Sequence, residues 1–456
     1  MTSLTNAAAR PLLALLGATL LASSALADSS LPGPYPVAQR NVTVTRPGGS
    51  TFTAQLRYPA TSTSSTAPVA PAAMPAPAIS FGHGFLSPVD IYDSTMDHLA
   101  SHGYIVIATT SGGELFPNHA NYALDMRYCL THLEQQDLVK SSFLFGAVDE
   151  TAFGISGHSM GGGASALAAG ADARIKALAT LAAAETNPSS ANAMLTVQRP
   201  SLCIVGSQDS IVTPATTLNQ YNNCDAPRQF VTIAGGSHCG FVDSAIIGCD
   251  SGSLPRPEQL AKTRALLLDF FNTHLRDDPG AFGATWGSGA PLAGTTRTRD
   301  ARVSASLAQT SLSGAAGSVL ETTLVATNTG PDATAIAPRA LAASVDVAID
   351  PPTSAVLAAG QSAVFTIRAA SPVAATESVQ VEVVRVRDDA GVPLALAIEF
   401  AAGNPADLDG DGSVGATDLA TMLNAWGPCA ACPADLDGDG NVGAADLAVL
   451  LGSWSN

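Results

Sequence analysis

The pentapeptide Gly-His-Ser-Met-Gly at residues 157–161 is the feature that most constrains the fold of this chain of 456 residues. The apolar residues 152–155 before it are typical of a buried strand, and the small residues 162–169 after it favour a helix. A Gly-x-Ser-x-Gly run between a strand and a helix forms a sharp turn that exposes the serine hydroxyl. We therefore predict that Ser159 lies on such a turn as a candidate nucleophile, the alternative being an ordinary glycine-rich turn.

Strand-like and helix-like patterns alternate around this turn, and a helical pattern over residues 257–274 follows the last strand. Such alternation favours a mostly parallel sheet that is covered by helices on both faces. We therefore assign residues 28–277 to one α/β domain. The predicted strands of this domain are residues 78–81, 104–108, 152–155, 175–181, 201–205 and 229–233.

Two polar residues follow later strands at the places that a serine nucleophile requires. A serine hydroxyl is a poor nucleophile at neutral pH and needs an adjacent base. In this topology the acid and then the histidine come after the serine, each on a loop that follows a later strand. Asp209 and His238 meet this requirement, so we predict that His238 is the general base and that Asp209 orients its imidazole. The rival acid Asp243 lies on the same loop as the histidine.

An acyl transfer also needs preorganised N–H donors for its oxyanion intermediate. The backbone N–H of Met160 lies at the amino end of the predicted helix, directly after the candidate nucleophile. A second donor is expected from the loop after the strand 78–81, which reads Gly-His-Gly-Phe at 82–85. We therefore predict that the amides of Met160 and Phe85 form the oxyanion hole.

The chain changes character after this domain. Residues 278–300 are rich in Gly, Ala, Thr and Pro and show little periodicity, so we interpret them as a linker. Residues 301–402 contain short alternating patterns, such as 319–325 and 379–384, between turn residues. A segment of about 100 residues of this kind indicates an antiparallel β-sandwich of the immunoglobulin-like type.

The end of the chain contains an internal repeat, because the acidic segment 407–418 recurs as 435–446. Both copies place oxygen-bearing side chains at loop positions 1, 3, 5 and 12 and glycine at position 6, as in an EF-hand loop that binds Ca²⁺. We therefore predict two Ca²⁺ sites, in which Ser413 and Asn441 contribute backbone carbonyl oxygens. The side-chain ligands would be Asp407, Asp409, Asp411 and Asp418 in the first loop and Asp435, Asp437, Asp439 and Asp446 in the second.

Each acidic loop is followed by one apolar helical pattern, without the helix that enters a complete EF-hand. This duplication resembles a type I dockerin over residues 404–454, within a small α-helical calcium-binding module that we assign to 404–456. The resemblance implies Ca²⁺-dependent folding and docking to a cohesin module on a scaffold or cell surface. Cys429-Ala-Ala-Cys432 between the repeats departs from it, and we interpret this segment as a local disulfide.

The residues around the candidate nucleophile resemble those of bacterial polyester hydrolases, or cutinase-like enzymes, and of their chlorophyllase and platelet-activating-factor acetylhydrolase relatives. The resemblance is carried by residues 157–163, by Phe85 and by Asp-Ser-Ile at 209–211, and it covers roughly residues 50–275. It implies an α/β-hydrolase fold in which the aromatic ring of Phe85 contacts the substrate. Polyester hydrolases carry a tryptophan at the position of Ala184, so the resemblance implies ester hydrolysis and leaves activity on aromatic polyesters open.

Seven cysteines permit disulfides in an exported chain, and their odd number implies at least one thiol without an intramolecular partner. Cys129 lies in a helical pattern and is expected to be buried and free. The hydrolase resemblance implies a disulfide between the acid and histidine loops, hence Cys203 with Cys239, whereas Cys239 with Cys249 is the local alternative. Cys224 is a further candidate, so the pairing stays open at this point.

The amino terminus indicates export. Arg10 precedes an apolar run over 12–21 and the small residues Ala-Leu-Ala at 25–27, which is the pattern of a secretory signal peptide over residues 1–27. A run of about ten apolar residues is too short to span a bilayer, so we expect a secreted protein without a transmembrane segment. The net charge of −17 argues against a nucleic-acid partner, because phosphate binding needs clustered cations.

Together these features predict a secreted serine esterase that hydrolyses carboxylic esters of lipid, cutin-like or polyester type through an acyl-enzyme. No cofactor is expected for catalysis, and the C-terminal module would attach the enzyme to a cohesin-bearing partner or a cell surface. The alternatives are a binding protein with an inactive hydrolase fold and a serine peptidase, since the same triad also cleaves amides.

Overall fold

The computed structural model describes residues 28–276, 278–287, 291–341, 344–429 and 432–455, so the predicted signal peptide lies outside the described residues. These residues form a mixed α/β region followed by a β-rich region and two acidic loop–helix repeats. Among the described helices, none is both long enough and apolar enough to cross a membrane.

The first domain is built on one nine-stranded, mostly parallel sheet. Its strands in chain order are β1 (Val37–Thr45), β2 (Thr51–Pro59), β3 (Ala76–Gly82), β4 (Ile105–Thr109), β5 (Val148–His158), β6 (Ile175–Leu181), β7 (Ser201–Gly206), β8 (Arg228–Ile233) and β9 (Thr295–Asp300). They lie in the order β1-β2-β4-β3-β5-β6-β7-β8-β9. The central strands β3 to β8 are parallel, whereas β1, β2 and β9 pair antiparallel with their neighbours.

Among the described residues, seven α-helices belong to this domain and its carboxyl end. They are α1 (Asp93–Ser101), α2 (His119–Asp137), α3 (Met160–Ala171), α4 (Ser190–Met194), α5 (Pro214–Asn223), α6 (Arg256–Leu275) and α7 (Pro279–Thr285). Apolar side chains of α2 and α3 enter one buried cluster on the sheet, while those of α1 and α6 enter a second cluster. The sheet is therefore covered on both faces, as the alternating sequence pattern predicts.

The prediction of a linker over residues 278–300 is wrong, because this segment contains the helix α7 and the strand β9. β9 pairs along its whole length with β8 and so covers the edge of the sheet. Phe282 and Trp286 are fully buried and pack into the core of the following domain. The linker prediction arises because Gly, Ala and Thr dominate the composition around these two aromatic residues.

The next domain consists of two sheets around one apolar core. One sheet has the order β10-β12-β16-β14 and the other β11-β18-β17-β13-β15, where the strands are β10 (Val303–Leu307), β11 (Ser311–Ala315), β12 (Val319–Asn328), β13 (Thr334–Ala340), β14 (Asp346–Asp350), β15 (Ala355–Leu357), β16 (Ser362–Ala370), β17 (Ala375–Arg385) and β18 (Gly391–Ala401). Alternate residues of these strands point into the shared core, which gives a β-sandwich. All pairs are antiparallel except β11 with β18.

The acidic repeats end in two short helices, α8 (Ala416–Asn424) and α9 (Ala444–Gly452). The short strands β19 (Gly427–Pro428) and β20 (Asn441–Val442) join the region between them. The core of this region is small, since its fully buried apolar residues are Ala406, Val414, Met422, Ala434, Val442 and Leu450.

The cysteine pairing differs from the one that the family resemblance implies. Cys239 is bonded to Cys249, the local alternative, and Cys429 is bonded to Cys432. Cys203 cannot reach Cys239 because its side chain enters the core on one face of the sheet, while Cys239 packs on the other face. Cys129, Cys203 and Cys224 are buried free thiols.

Candidate active site

Ser159 lies on a tight turn between β5 and α3, with a positive backbone φ of 57°. This conformation is rare for a residue with a side chain, and it is typical of strained functional turns. The flanking glycines allow the turn to pack closely. A Cβ on Gly161 would lie 2.2 Å from backbone atoms of Gly82 in β3, and a Cβ on Gly157 would lie 2.4 Å from the carbonyl oxygen of Gly161.

The backbone around the serine is held by hydrogen bonds to the adjoining strand. The N–H of Ser159 donates to the carbonyl oxygen of Leu181 at 2.9 Å, and its own carbonyl oxygen accepts from the N–H of Ala184, also at 2.9 Å. The residue retains 9% exposure. The strained turn is thus anchored on β6 and the loop that follows it, while the serine remains accessible.

Asp209 and His238 are brought together at the carboxyl ends of β7 and β8. The carboxylate oxygen Oδ2 of Asp209 lies 2.8 Å from Nδ1 of His238, and both side chains are almost fully buried. The other carboxylate oxygen accepts from the N–H groups of Ile211 and Val212, at 3.0 and 2.7 Å. Because an ionised carboxylate only accepts, this arrangement places the imidazole proton on Nδ1 and leaves Nε2 as an acceptor.

The rival acid Asp243 points elsewhere. It accepts from the N–H of Ser94 at 2.8 Å and from the hydroxyl of the same residue, so it binds the start of α1. The hydroxyl of Ser159 makes no hydrogen bond to His238 among the described residues. Such contacts are often long in ligand-free enzymes and tighten when substrate binds.

The acid and histidine loops are connected by Asp250, a residue that no motif in the sequence indicates. One carboxylate oxygen accepts from the N–H of His238 and of Ser210, both at 3.0 Å, and the other accepts from Cys239 at 2.9 Å. Burial acts to raise the pKa of Asp250, but these backbone donors hold that pKa below its usual range. The carboxylate therefore connects the two loops, as the disulfide between Cys203 and Cys239 that the resemblance implies would have done.

The candidate oxyanion residues border the same cavity as the serine. Phe85, Ser159, Met160 and Ala184 line a cavity of about 440 Å³. Met160 is the first residue of α3, so its N–H has no partner within the helix. The N–H of Phe85 makes no hydrogen bond in the described part of the chain. Both amides are therefore free to bind an oxyanion.

Tyr92 connects the oxyanion loop to the nucleophile turn, a contact that no motif in the sequence indicates. Its hydroxyl accepts the N–H of Gly84 at 3.0 Å and lies 2.9 Å from Nδ1 of His158. The ring of His158 lies 4.4 Å from that of His238 between ring centres. Burial and the neighbouring imidazole lower the pKa of His158 well below its ordinary value, so this histidine stays neutral beside the candidate base.

Replacement of Tyr92 by phenylalanine is expected to lower kcat for a short ester about tenfold with little change in KM, because a lost hydrogen bond of this kind is worth about 1.4 kcal/mol. Without the hydroxyl, the backbone of Gly84 loses its anchor and the adjacent amide of Phe85 is less well positioned. Tyr104→Phe is the matched control, since this buried hydroxyl donates to Asn272 in α6. An equal loss of kcat in both variants would contradict the positioning role.

The acidic repeats bring three carboxylates together in each loop. Oxygen atoms of Asp407, Asp409 and Asp418 lie within 4.8 Å of one another, and so do those of Asp435, Asp437 and Asp446. Glycine occupies loop position 6 with φ of +88° in both copies, at Gly412 and Gly440. A set of hard carboxylate oxygens around a sharp turn fits the chemistry that Ca²⁺ requires.

Two of the predicted ligands do not join these groups. The carboxylate of Asp411 accepts the N–H of Ser413 at 2.8 Å, and that of Asp439 accepts the N–H of Asn441 at 2.7 Å. The residue at loop position 12 is instead held inward, because Asp418 accepts from the N–H groups of Leu408, Asp409 and Gly415. Ligation by Asp411, Asp439 and the carbonyl oxygens of Ser413 and Asn441 stays a prediction.

Comparison with known proteins gives one family. Residues 22–247 match the PETase family, described as PET hydrolase-like, and this segment contains Ser159, Asp209 and His238. No curated protein matches the chain. Over residues 22–247 the first domain is thus similar to PET hydrolase-like proteins, and this similarity points to the hydrolysis of esters.

Proposed function

We propose that this PETase-like domain is a secreted serine esterase that hydrolyses carboxylic esters through an acyl-enzyme. The observation that carries the proposal is the contact between Asp209 and His238 at 2.8 Å, at the edge of the sheet where the strained turn presents Ser159. A histidine oriented in this way has the correct tautomer to serve as a base. Secretion is supported by the disulfide between Cys239 and Cys249, since disulfides persist in oxidising compartments.

In the proposed mechanism the Oγ atom of Ser159 attacks the ester carbonyl carbon while Nε2 of His238 takes the hydroxyl proton. The carbonyl oxygen becomes an oxyanion, which the amides of Met160 and Phe85 stabilise. The imidazolium then gives its proton to the departing alcohol, which leaves an acyl-enzyme. Water deprotonated by the same imidazole attacks the acyl carbon, and the acid is released as the serine recovers its proton.

The walls of the cavity favour an apolar substrate. Leu115 and Phe116 line it together with Phe85, and their exposed fractions are 62%, 88% and 43%. Exposed apolar side chains around a concave site are typical of surfaces that bind apolar ligands. Ala184 lies in this cavity at the position where the resemblance places a tryptophan. We infer that lipid, cutin-like or aliphatic polyester chains are bound through the aromatic rings of Phe85 and Phe116, which line the same cavity as Ala184.

A fluorophosphonate probe and a substrate panel test the proposed function. The probe should label Ser159 in the full chain, as located by mass spectrometry of the digested protein. Hydrolysis should be measured on p-nitrophenyl esters of increasing acyl length, on a soluble polyester and on matched peptide anilides. Absence of labelling and turnover would identify a binding protein with an inactive fold. Preferential cleavage of the anilides would identify a peptidase.

Replacement of Phe116 by alanine is expected to raise KM for long-chain esters about fivefold, because partial burial of a phenyl ring against a substrate is worth about 1 kcal/mol. KM for the acetate ester should stay unchanged, since a short acyl group does not reach the exposed ring. Phe145→Ala is the matched control, because this phenylalanine is also exposed (47%) and is not a lining residue of the cavity. A loss that is independent of acyl length would contradict the assignment.

We further propose that the C-terminal repeats bind two Ca²⁺ ions and dock to a cohesin-type partner, so that the esterase is attached to a scaffold or cell surface. The support is the set of three carboxylates within 4.8 Å of one another in each loop, together with exposed apolar residues on the two helices and directly after them. Exposed clusters of this kind mark protein-binding surfaces. The exposed residues are Leu423, Trp426, Val449, Leu451 and Trp454.

A further inference from the structure

A cavity of about 740 Å³ lies between the hydrolase domain and the sandwich, away from the candidate active site. Thr151 and Lys176 line it near the starts of β5 and β6, and Arg199 lines it just before β7. Ser159 and His238 follow the opposite, carboxyl ends of β5 and β8. Because parallel strands start at one edge of a sheet and end at the other, this cavity is a second site.

One wall of this cavity is formed where the two domains meet, and hydrogen bonds between the domains hold it in place. Nδ1 of His274 in α6 donates to the carbonyl oxygen of Asp388 in the β17–β18 turn at 2.7 Å, and Nε2 accepts from the indole of Trp286 at 3.1 Å. Burial lowers the pKa of His274 to about 3, so this joint is uncharged at neutral pH. Arg387 of the same turn donates to the carbonyl oxygen of Gln198 at 3.2 Å.

The cavity lining carries an excess of positive charge, although the whole chain has a net charge of −17. Four cationic side chains line it: Lys176, Arg199, Arg276 and Arg387. In the described part of the chain, the first three of them form no ion pair with a carboxylate. Arg276 stacks on the ring of Tyr104 instead, with its guanidinium carbon 4.2 Å from the ring centre.

The two carboxylates of the lining, Asp149 and Asp388, offset only part of the charge of its four cations. Asp388 is paired with Arg385, whose guanidinium lies 3.1 Å from it. Asp149 accepts from the N–H and the hydroxyl of Thr151, at 2.9 and 2.6 Å. Burial, followed by the proximity of other cations, lowers the pKa of Lys176 and of Arg199. The cations therefore repel one another, and a bound anion would relieve that repulsion.

We propose that this cavity binds an oxyanion with two or more negative charges, held by Lys176 and Arg199 of the hydrolase domain and by Arg387 of the sandwich. Arginine and lysine are the residues that recognise carboxylate, sulfate and phosphate groups in proteins. The cavity is far larger than one inorganic ion and falls in the range of small-molecule sites. The ligand is thus a small organic molecule with carboxylate, sulfate or phosphate groups, which bridges the two domains.

Isothermal titration calorimetry of the Ca²⁺-loaded full chain tests this proposal with two probes, sulfate and propane-1,2,3-tricarboxylate, at constant ionic strength in chloride. We expect saturable binding at one site with a Kd below about 1 mM, and a rise of Tm that follows the ligand concentration. Tighter binding of sulfate would assign a sulfate or phosphate group to the natural ligand. Tighter binding of the tricarboxylate would assign carboxylates.

Three variants test whether the probes bind in this cavity. Lys176→Gln and Arg387→Gln are expected to weaken the bound probe at least about tenfold, which corresponds to 1.4 kcal/mol. Arg368→Gln is the matched control, because it removes one positive charge from an exposed site in the sandwich, where Arg368 pairs with Glu321 and Asp350. Arg387 lies on an exposed turn, so its variant stays informative if Lys176→Gln fails to fold. Absence of saturable binding, or equal weakening by all three substitutions, would overturn the proposal.

Discussion

Replacement of Asp209 by asparagine is expected to lower kcat for a short activated ester about 10⁴-fold, the loss known for this change in a serine triad. The carboxylate accepts the Nδ1 proton of His238 and leaves Nε2 as an acceptor. An asparagine can keep one oxygen on the N–H groups of Ile211 and Val212 and then directs its NH₂ group at the imidazole. The imidazole must then carry its proton on Nε2, where it cannot accept the proton of Ser159.

The measurement is steady-state hydrolysis of p-nitrophenyl acetate by the full chain at neutral pH. Asp243→Asn is the matched control, because Asp243 lies near His238 in sequence but binds Ser94 at the start of α1. This control should keep kcat within about threefold of the parent, as expected for a polar change away from the reacting groups. An unchanged kcat in Asp209→Asn, or equal losses in both variants, would show that the acid is assigned wrongly.

The positions of the strands and of the serine turn could be predicted because each depends on local sequence. Apolar runs of four to seven residues between helical patterns are typical of buried strands. The bounds predicted for them agree with those of β3 to β8 to within a few residues. The places of Asp209 and His238 follow from this topology, since the ends of parallel strands meet at one edge. Their contact at 2.8 Å agrees with the predicted pairing, whereas their catalytic role remains a proposal.

The contacts that fix the site could not be predicted, because they join residues far apart in sequence. Tyr92 lies in a segment without a motif, and only the folded chain places its hydroxyl beside His158. Asp250 is one of many acidic residues, and its importance depends on three backbone N–H groups that point at it from two loops. A motif consists of residue types at a fixed spacing in the sequence. The residues that make these two contacts belong to no such pattern, so a motif cannot identify them.

The linker prediction failed for a different reason, since it relied on composition in place of packing, and the disulfide pairing, which the sequence left open, is likewise decided by packing. Trp286 stands among small residues in the sequence, yet it is fully buried, and its indole N–H donates to His274. Of the two pairings left open, Cys203 with Cys239 is excluded because the alternation of side chains along β7 directs Cys203 away from the face that Cys239 occupies.

Removal of Ca²⁺ with EGTA is expected to unfold the C-terminal repeats while ester hydrolysis continues. Three carboxylates of each loop lie within 4.8 Å of one another, for example those of Asp407, Asp409 and Asp418, and they repel each other unless a cation is bound. The small core around Met422 and Leu450 is too limited to offset that repulsion. The expected result is rapid proteolysis after residue 404 in EGTA, detected by mass spectrometry, with protection restored by added Ca²⁺.

Single substitutions at loop position 12 separate the two sites, because Asp418 and Asp446 each belong to one carboxylate group. Calorimetry of the full chain should give two bound Ca²⁺ ions, and Asp418→Asn or Asp446→Asn should each lower this number to one. Asp149→Asn is the matched control, since this carboxylate binds Thr151 in the hydrolase domain. A Ca²⁺ ion bound in either loop replaces the repulsion between the carboxylates by their attraction to the ion, and so stabilises the folded loop. Equal proteolysis with and without EGTA would therefore mean that the loops fold as acidic turns without an ion.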